Sequence, residues 1–152
     1  MSIRKATTND AEDIRTLTLR AAEPESNTDF DKEGVKHFKE TLQLEAIKNR
    51  ILNKEYLMLC FIKEDKVVGM IAIYRKEKLS QLFVDPSFRK LNIAKQLWSA
   101  ANKICIDQGS TGNYWVKSST MAIPVYESFG FRLDGMQQNQ DGIIYYSMLL
   151  QS

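Results

Sequence analysis

The stretch from Val84 to Trp98, "VDPSFRKLNIAKQLW", joins an apolar strand to a helix through a short basic turn. Pro86 cannot continue a central strand, and apolar residues at helical spacing begin at Ile93. The first N–H groups of a helix lack intrahelical partners and lie at the positive end of its dipole. The turn is therefore either a phosphate-binding site or a solvated basic cap, and Asn92 stands where a phosphate loop usually has glycine.

Outside this stretch, the hydrophobic pattern predicts strands and helices in mixed order. Strands are predicted over residues 2–6, 56–64, 66–75, 78–84, 114–119, 131–138 and 143–150. Helices are predicted over residues 8–22, 32–40, 43–52, 92–108 and 121–129, with an N-cap pair of Asn9 and Glu12 in the first. Gly69, inside a predicted strand, indicates a bulge or close packing, and Gly130 is expected to end the last helix in the left-handed conformation. This order predicts an α/β (α+β) domain.

Composition excludes several classes of protein. With 152 residues, 43% hydrophobic and 26% charged, the chain has the size and balance of one globular domain, residues 1–152. The apolar run from Tyr56 to Ile62 is too short to cross a bilayer, and residues 1–10 lack the apolar core of a signal peptide, so we expect a cytoplasmic protein. Net charge is only +2 and the basic pairs are dispersed, which predicts neither nucleic acid nor a membrane as partner.

Cysteine and histidine usage argues against metal or thiol chemistry. Cys60 and Cys105 lie within apolar patterns, so both are expected to be buried small hydrophobes. His37 is the only histidine and has no histidine or cysteine at ligand spacing, so we expect no metal site.

Three separated features together resemble the GNAT N-acetyltransferase superfamily, and its small bacterial-type members in particular. Its acyl-CoA signature is Arg or Gln, two variable residues, Gly, one variable residue, then Gly or Ala, and residues 89–94 read "RKLNIA". Residues 118–131, "SSTMAIPVYESFGF", resemble a later segment in which an alanine precedes a tyrosine by four residues and Gly-Phe follows. The opening "IRKATTNDAEDI" and the closing "DGIIYYSMLL" fit the same pattern, so the similarity covers essentially the whole chain.

The resemblance implies a central mixed, twisted sheet of about seven strands with helices on both faces, split open between the "KLSQLFV" and "YWVKSS" strands. It also implies acetyl-CoA as co-substrate. The cofactor phosphates would meet the turn, the pantetheine amides would meet the backbone of the preceding strand, and a hydroxyl stands where many members have asparagine. The expected cofactor-binding residues are Leu82, Phe83, Val84, Arg89, Lys90, Leu91, Asn92, Ile93, Ala94, Lys95 and Ser119.

The reaction implied is direct attack of an amine on the thioester. Tyr126 matches the proton donor to the leaving sulfur, and a backbone N–H of Phe83 or Val84 would stabilise the oxyanion. The "KLSQLFV" strand has no carboxylate where some members have one, so the base is left open between a water chain and an amine that arrives deprotonated. The alternative function is a non-catalytic module that binds or senses acyl-CoA.

The acceptor is expected to be an amine on a small molecule or a peptide. The segment Glu23–Glu33 is rich in acids, which either attract a cationic amine or simply form a solvated loop. The aromatic residues of "IIYYSMLL" either belong to the core or pair with a second copy in a homodimer.

Overall fold

The computed structural model describes residues 1–152 and has a mixed α/β fold built on an eight-stranded, mostly antiparallel sheet. The strands are β1 (Ser2–Lys5), β2 (Tyr56–Lys63), β3 (Lys66–Tyr74), β4 (Lys78–Val84), β5 (Tyr114–Ser118), β6 (Arg132–Leu133), β7 (Gln138–Gln140) and β8 (Ile143–Leu150). The helices are α1 (Ala11–Ala22), α2 (Lys32–Thr41), α3 (Leu44–Leu52), α4 (Ile93–Asp107) and α5 (Ile123–Ser128). None of the helices combines the length and the apolar character needed to cross a bilayer.

The strand order is β1-β2-β3-β4-β5-β8-β6, with β7 also paired to β8. Helices cover both faces, as predicted, because strands β2 and β3 are apolar at nearly every position and must be buried on both sides. We call the two sides the α4 face, covered by α4 and α5, and the α1 face, covered by α1 and α3. The core of the α4 face includes Leu59, Ile71, Leu97, Trp98 and Val116, and that of the α1 face includes Ile14, Leu17, Ile47, Met58 and Met70.

The sheet divides between β4 and β5, the one parallel pair. Only Lys78 and Trp115 are paired there, and the Trp115 N–H donates to the Glu77 carbonyl at 2.9 Å. Beyond that point the two strands separate, so one edge of β4 has no neighbouring strand. We call this the open edge of β4, and the space between the strands the cleft.

Two irregularities shape the strands beside the cleft. In β3 the register shifts next to Gly69, and a Cβ there would lie 2.9 Å from Ile93 Cγ2, so both the bulge and the close packing predicted for this glycine are present. In β4 the pairing passes from Gln81 to Leu79, which leaves Ser80 as the extra residue of a second bulge. Nothing in the local sequence predicted the second bulge.

Two expectations need correction. The segment 131–138 forms two short strands, because Gly135 adopts a left-handed φ of +94° between them, so the sheet has eight strands rather than seven. The first helix starts with a 3-10 turn at Thr8–Asp10, and Asp10 accepts from the Thr7 N–H at 2.7 Å, so Asn9 is not the cap.

Strand β8 is paired along both edges, and helix α5 ends in a left-handed cap. β8 lies between β5 on one side and β6 and β7 on the other, so its backbone edges are already paired. Gly130 ends α5 with a φ of +102°, and the Phe131 N–H donates to the Tyr126 carbonyl at 3.0 Å, as the left-handed cap predicted.

Candidate functional site

The turn between β4 and α4 presents a run of unpaired backbone donors. No N–H group from Arg89 to Lys95 donates to an acceptor within the chain, and the first bond of the helix is that from the Gln96 N–H to the Asn92 carbonyl, at 3.0 Å. Asn92 and Lys90 both have positive φ, 58° and 71°, which turns the backbone sharply ahead of the helix. A row of free amides at a helix N-terminus can bind the oxygens of a phosphate.

Asn92 is in the left-handed region, with φ 58° and ψ 25°, and its side chain makes no capping hydrogen bond. Asn92 thus occupies the N-cap position of α4 through its tolerance of the left-handed conformation and not through a side-chain hydrogen bond. Asparagine is one of the few residues besides glycine that reach this region at modest cost. The helix amides consequently remain available to a ligand.

The basic side chains of the turn divide into two groups. Arg89 is turned away, since its Nη2 donates to the Ala21 carbonyl at the end of α1, at 3.1 Å. Lys90 and Lys95 are exposed and form no ion pair, so they are free to face an anion.

A second contact fastens the same turn to α1. Arg20 donates to both carboxylate oxygens of Asp85, at 2.9 and 3.1 Å. These hydrogen bonds lower the pKa of Asp85, which also accepts from the Ser87 N–H at 2.9 Å. The turn is thus held at both ends before any ligand arrives.

The register of β4 decides which backbone groups reach the cleft. The Asp85 N–H donates to the Val68 carbonyl at 2.9 Å, and in an antiparallel ladder every second residue points the same way. The N–H of Phe83 therefore faces β3, whereas those of Leu82 and Val84 face the open edge. This corrects the expectation for Phe83, whose backbone is already engaged and whose side chain packs on the α1 face.

Tyr126 lies in α5 on the α4 face, with its ring packed against Phe129 and Phe131 at centroid distances of 6.2 and 5.8 Å. The residue is only 6% exposed, and burial raises the pKa of its phenol. Its hydroxyl has no hydrogen-bond partner in the chain. The hydroxyl oxygen is nevertheless not fully enclosed. A small part of the hydroxyl is therefore accessible to a ligand.

Ser119 follows β5 at the far side of the cleft. Its hydroxyl accepts from the Ala122 N–H at 3.2 Å and so supports the turn into α5. The hydroxyl proton remains available, which leaves Ser119 able to donate one hydrogen bond to a cofactor.

Gln81 is a residue to which the sequence reasoning assigned no role. Its Oε1 is one of two buried side-chain polar atoms without a partner, the other being Arg50 Nε. Gln81 pairs with Ala72 of the α1-face core, so its side chain lies on that face, beside the Ser80 bulge. A buried carbonyl oxygen without a donor costs free energy, and a hydrogen bond from a ligand N–H would remove that cost. The available signal was a glutamine inside a strand, directly before the apolar residues Leu82, Phe83 and Val84.

The acidic segment largely serves the fold. Asp29 is buried and accepts from the Thr120 N–H and hydroxyl at 2.9 and 2.7 Å, which ties the loop to the end of β5. Asp31 caps α2 by accepting from the Gly34 N–H at 2.8 Å, and Glu25 forms an ion pair with Lys39. The suggestion that these acids attract a cationic acceptor therefore loses three of its carboxylates.

The remaining features lie outside the cleft. An open cavity of about 590 Å³ beside the turn is lined by Ile3, Leu91, Asn92, Lys95, Gln96 and Ser99, on the β1 side of α4. No group of three or more histidine, cysteine, aspartate or glutamate side chains is arranged to hold a metal ion.

Comparison with known proteins gives a family and a fold. A family model described as an acetyltransferase (GNAT) domain matches residues 26–152. Among curated proteins, no sequence matches the chain significantly.

Among solved structures, the PaiA N-acetyltransferase of Thermoplasma acidophilum, in complex with coenzyme A, is 18% identical with a TM-score of 0.84, over 99% of this chain and 98% of that one. An aminoglycoside 6'-N-acetyltransferase complexed with coenzyme A is 17% identical with a TM-score of 0.66, over 98% and 96%. The ribosomal-protein-S18-alanine N-acetyltransferase of Escherichia coli is 19% identical with a TM-score of 0.67, over 98% and 92%. At these identities the shared property is the fold.

Proposed function

The chain belongs to the GNAT acetyltransferase family, and from this premise we propose that it is an N-acetyltransferase, which moves the acetyl group of acetyl-CoA onto a primary amine. The observation that carries the proposal is the run of unpaired N–H groups from Arg89 to Lys95, next to the open edge of β4. A protein that used this turn only to begin a helix would not need so many free donors beside a cleft.

In this proposal the turn holds the pyrophosphate of the cofactor. The amides from Arg89 to Lys95 donate to the phosphate oxygens, and Lys90 and Lys95 add positive charge. Along the open edge, the backbone groups of Leu82 and Val84 bond the pantetheine amides as a neighbouring strand would. Ser119 donates from the opposite side of the cleft.

The chemistry then needs three further groups. The amine nitrogen attacks the thioester carbonyl, and one of the two N–H groups on the open edge, that of Leu82 or that of Val84, stabilises the oxyanion that forms. When the carbon–sulfur bond breaks, the Tyr126 hydroxyl gives its proton to the thiolate. Gln81 Oε1 is fully enclosed in the free protein, and once its side chain turns toward the cleft it accepts a hydrogen bond from the amine and so orients the nitrogen lone pair. Since β4 carries no carboxylate, the amine loses its proton to water or binds in its neutral form.

The test is release of free thiol from acetyl-CoA over a panel of amines, with binding of CoA measured separately by calorimetry. We expect turnover with at least one acceptor, and mass spectrometry should find the acetyl group on its nitrogen. Tight CoA binding without turnover across the whole panel would favour the non-catalytic module. Absence of CoA binding would contradict both functions.

The backbone conformation at Asn92 yields a prediction about cofactor affinity. Asn92→Gly should bind CoA as tightly as the parent or tighter, because glycine reaches the same φ and no side-chain cap is lost. Asn92→Val should lower stability by about 1 to 2 kcal/mol, since a β-branched residue strains the left-handed region. Calorimetry and thermal unfolding measure the two effects. A large loss of affinity in Asn92→Gly would mean that the amide side chain itself contacts the cofactor.

A further inference from the structure

Four side chains form a continuous surface on the α1 face at the foot of the cleft. Tyr114 and Val116 point into the α4-face core, so Trp115 and Lys117, which alternate with them, point to the opposite side. Lys78 lies over the Trp115 ring, with Nζ 4.8 Å from its centroid, and Lys117 lies over the Tyr145 ring at 5.1 Å. We call these residues, Lys78, Trp115, Lys117 and Tyr145, the lysine–aromatic surface.

The two lysines of this surface have no carboxylate partner. Neither belongs to any ion pair of the structure, and the one polar contact of Lys117 is to the neutral Gln140 Oε1, at 2.7 Å. Burial lowers the pKa of Lys78, and the nearby charge of Lys117 lowers it further. The surface therefore carries positive charge that nothing in the chain offsets.

No carboxylate of the acidic segment forms an ion pair with either lysine. The carboxylates of Asp29, Asp31 and Glu25 are occupied by Thr120, by the N-terminus of α2 and by Lys39 respectively. A polycationic acceptor that approached this surface would be repelled by its two lysines.

The position of the surface connects it with the acceptor. Lys78 and Trp115 are the last paired residues before β4 and β5 separate, so the surface begins where the cleft begins. The turn between β4 and α4 leads directly into α4, so a cofactor bound at this turn reaches the cleft from the α4 face. The acceptor then approaches from the α1 face. An amine that reaches the open edge of β4 from that face places the rest of its molecule beside Trp115 and Lys117.

We propose that the acceptor is a small amine that also carries an anionic group, a carboxylate or a phosphate, which Lys78 and Lys117 bind on the lysine–aromatic surface. This inference rests on the proposed N-acetyltransferase function, and it adds the class of acceptor. The two rings supply an apolar floor for the part of the acceptor between its amine and its anionic group. Polyamines and aminoglycosides are then poor acceptors.

The experiment compares acceptors that differ only in charge. Thiol release from acetyl-CoA is measured with amino acids, with their carboxamides and with polyamines as acceptors. A second comparison, of aminoalkyl phosphates with amino acids of equal length, shows whether phosphate or carboxylate is preferred. A carboxamide lowers the pKa of its own amine and so favours attack, which biases the comparison against the proposal. We nevertheless expect kcat/KM to be about tenfold higher for the anionic acceptor.

Substitutions of the two lysines test whether they cause the preference for anionic acceptors. Lys78→Met keeps the long apolar stem on Trp115 and removes the charge, and together with Lys117→Gln it should abolish the preference while CoA affinity stays unchanged. Lys117→Arg should retain the preference. Lys66→Gln, an exposed lysine at the β2–β3 turn, is the matched control and should behave as the parent.

A second readout does not depend on turnover. With CoA present, N-acetyl amino acids should bind about tenfold more tightly than their carboxamides in calorimetry, and the double variant should lose the difference. If they do so while no amine is turned over, the anion-binding role of the two lysines holds and the proposed catalysis fails. Turnover without a preference for anionic acceptors, or a preference for polyamines, would overturn the inference and leave the proposed function intact.

Discussion

Tyr126→Phe should lower kcat by about 100-fold or more, the usual contribution of a positioned general acid, and leave CoA affinity unchanged. The phenylalanine ring can keep the contacts of the tyrosine ring with Phe129 and Phe131, so the loss reports the hydroxyl alone. Because that hydroxyl has no partner in the chain, its removal should not weaken the fold. The measurement is thiol release at saturating acetyl-CoA and acceptor, with thermal unfolding in parallel.

The dependence of kcat on pH provides an independent test of the role of Tyr126. Burial raises the pKa of Tyr126 above its ordinary value, so the phenol keeps its proton as pH rises past about 10. A rate that requires this proton is fully present below the raised pKa and is lost only above it. We therefore expect kcat to show no decline on the alkaline side up to about pH 10 that could be assigned to loss of the phenolic proton.

Tyr114→Phe is the control for this prediction. Tyr114 is another buried tyrosine of the α4-face core, packed against Trp98 at a centroid distance of 4.9 Å, and it has no role in the proposed reaction. Its variant should retain the parent kcat. A Tyr126→Phe enzyme with full activity would mean that the thiolate leaves without a proton from this residue.

Lys95→Glu should weaken CoA binding by about tenfold or more, because it places a negative charge beside the phosphate oxygens in place of a positive one. The substitution is suited to the purpose, since Lys95 is the third residue of α4 and glutamate near a helix N-terminus stabilises the helix. A loss of affinity therefore cannot be attributed to unfolding. Calorimetry at two ionic strengths should show a smaller difference at high salt.

Lys103→Glu makes the same change of charge two turns farther along α4, about 12 Å away, which is beyond the Debye length at physiological salt. It removes only an exposed pair with Asp107, at 3.1 Å. CoA affinity should therefore stay close to that of the parent. Equal affinity in Lys95→Glu and the parent would show that the phosphates do not bind at this turn.

Local signals account for much of the agreement between sequence and structure. The strands β2 and β3 and the tight turn between them follow from two apolar runs joined at Glu64 and Asp65, both of which have positive φ. Helix α5 ends where Gly130 predicted, and the turn between β4 and α4 begins at Pro86. Each of these depends on residues within one or two turns of chain, so a single sequence contains the information.

The corrected expectations depend on partners that are distant in sequence. Whether Phe83 or Val84 offers its N–H to the cleft is decided by pairing with β3, which local composition does not encode. Arg89 was expected to bind phosphate from its place in the motif, but its guanidinium donates to the carbonyl of Ala21, 68 positions away. Asp29 looks like a solvated acid until Thr120, 91 positions away, is brought beside it.

The sequence by itself determined the family, the order of elements and the turn that offers free amides, because these rest on hydrophobic period, backbone preference and motif spacing. Only the tertiary structure decided which amides face the open edge, which acids are occupied, and that Lys78 and Lys117 share one surface with Trp115 and Tyr145. The physical reason is that hydrogen-bond partners and electric fields are set by distance in space. The pairing of β4 with β5 at Lys78 and Trp115 brings together residues that lie far apart along the chain.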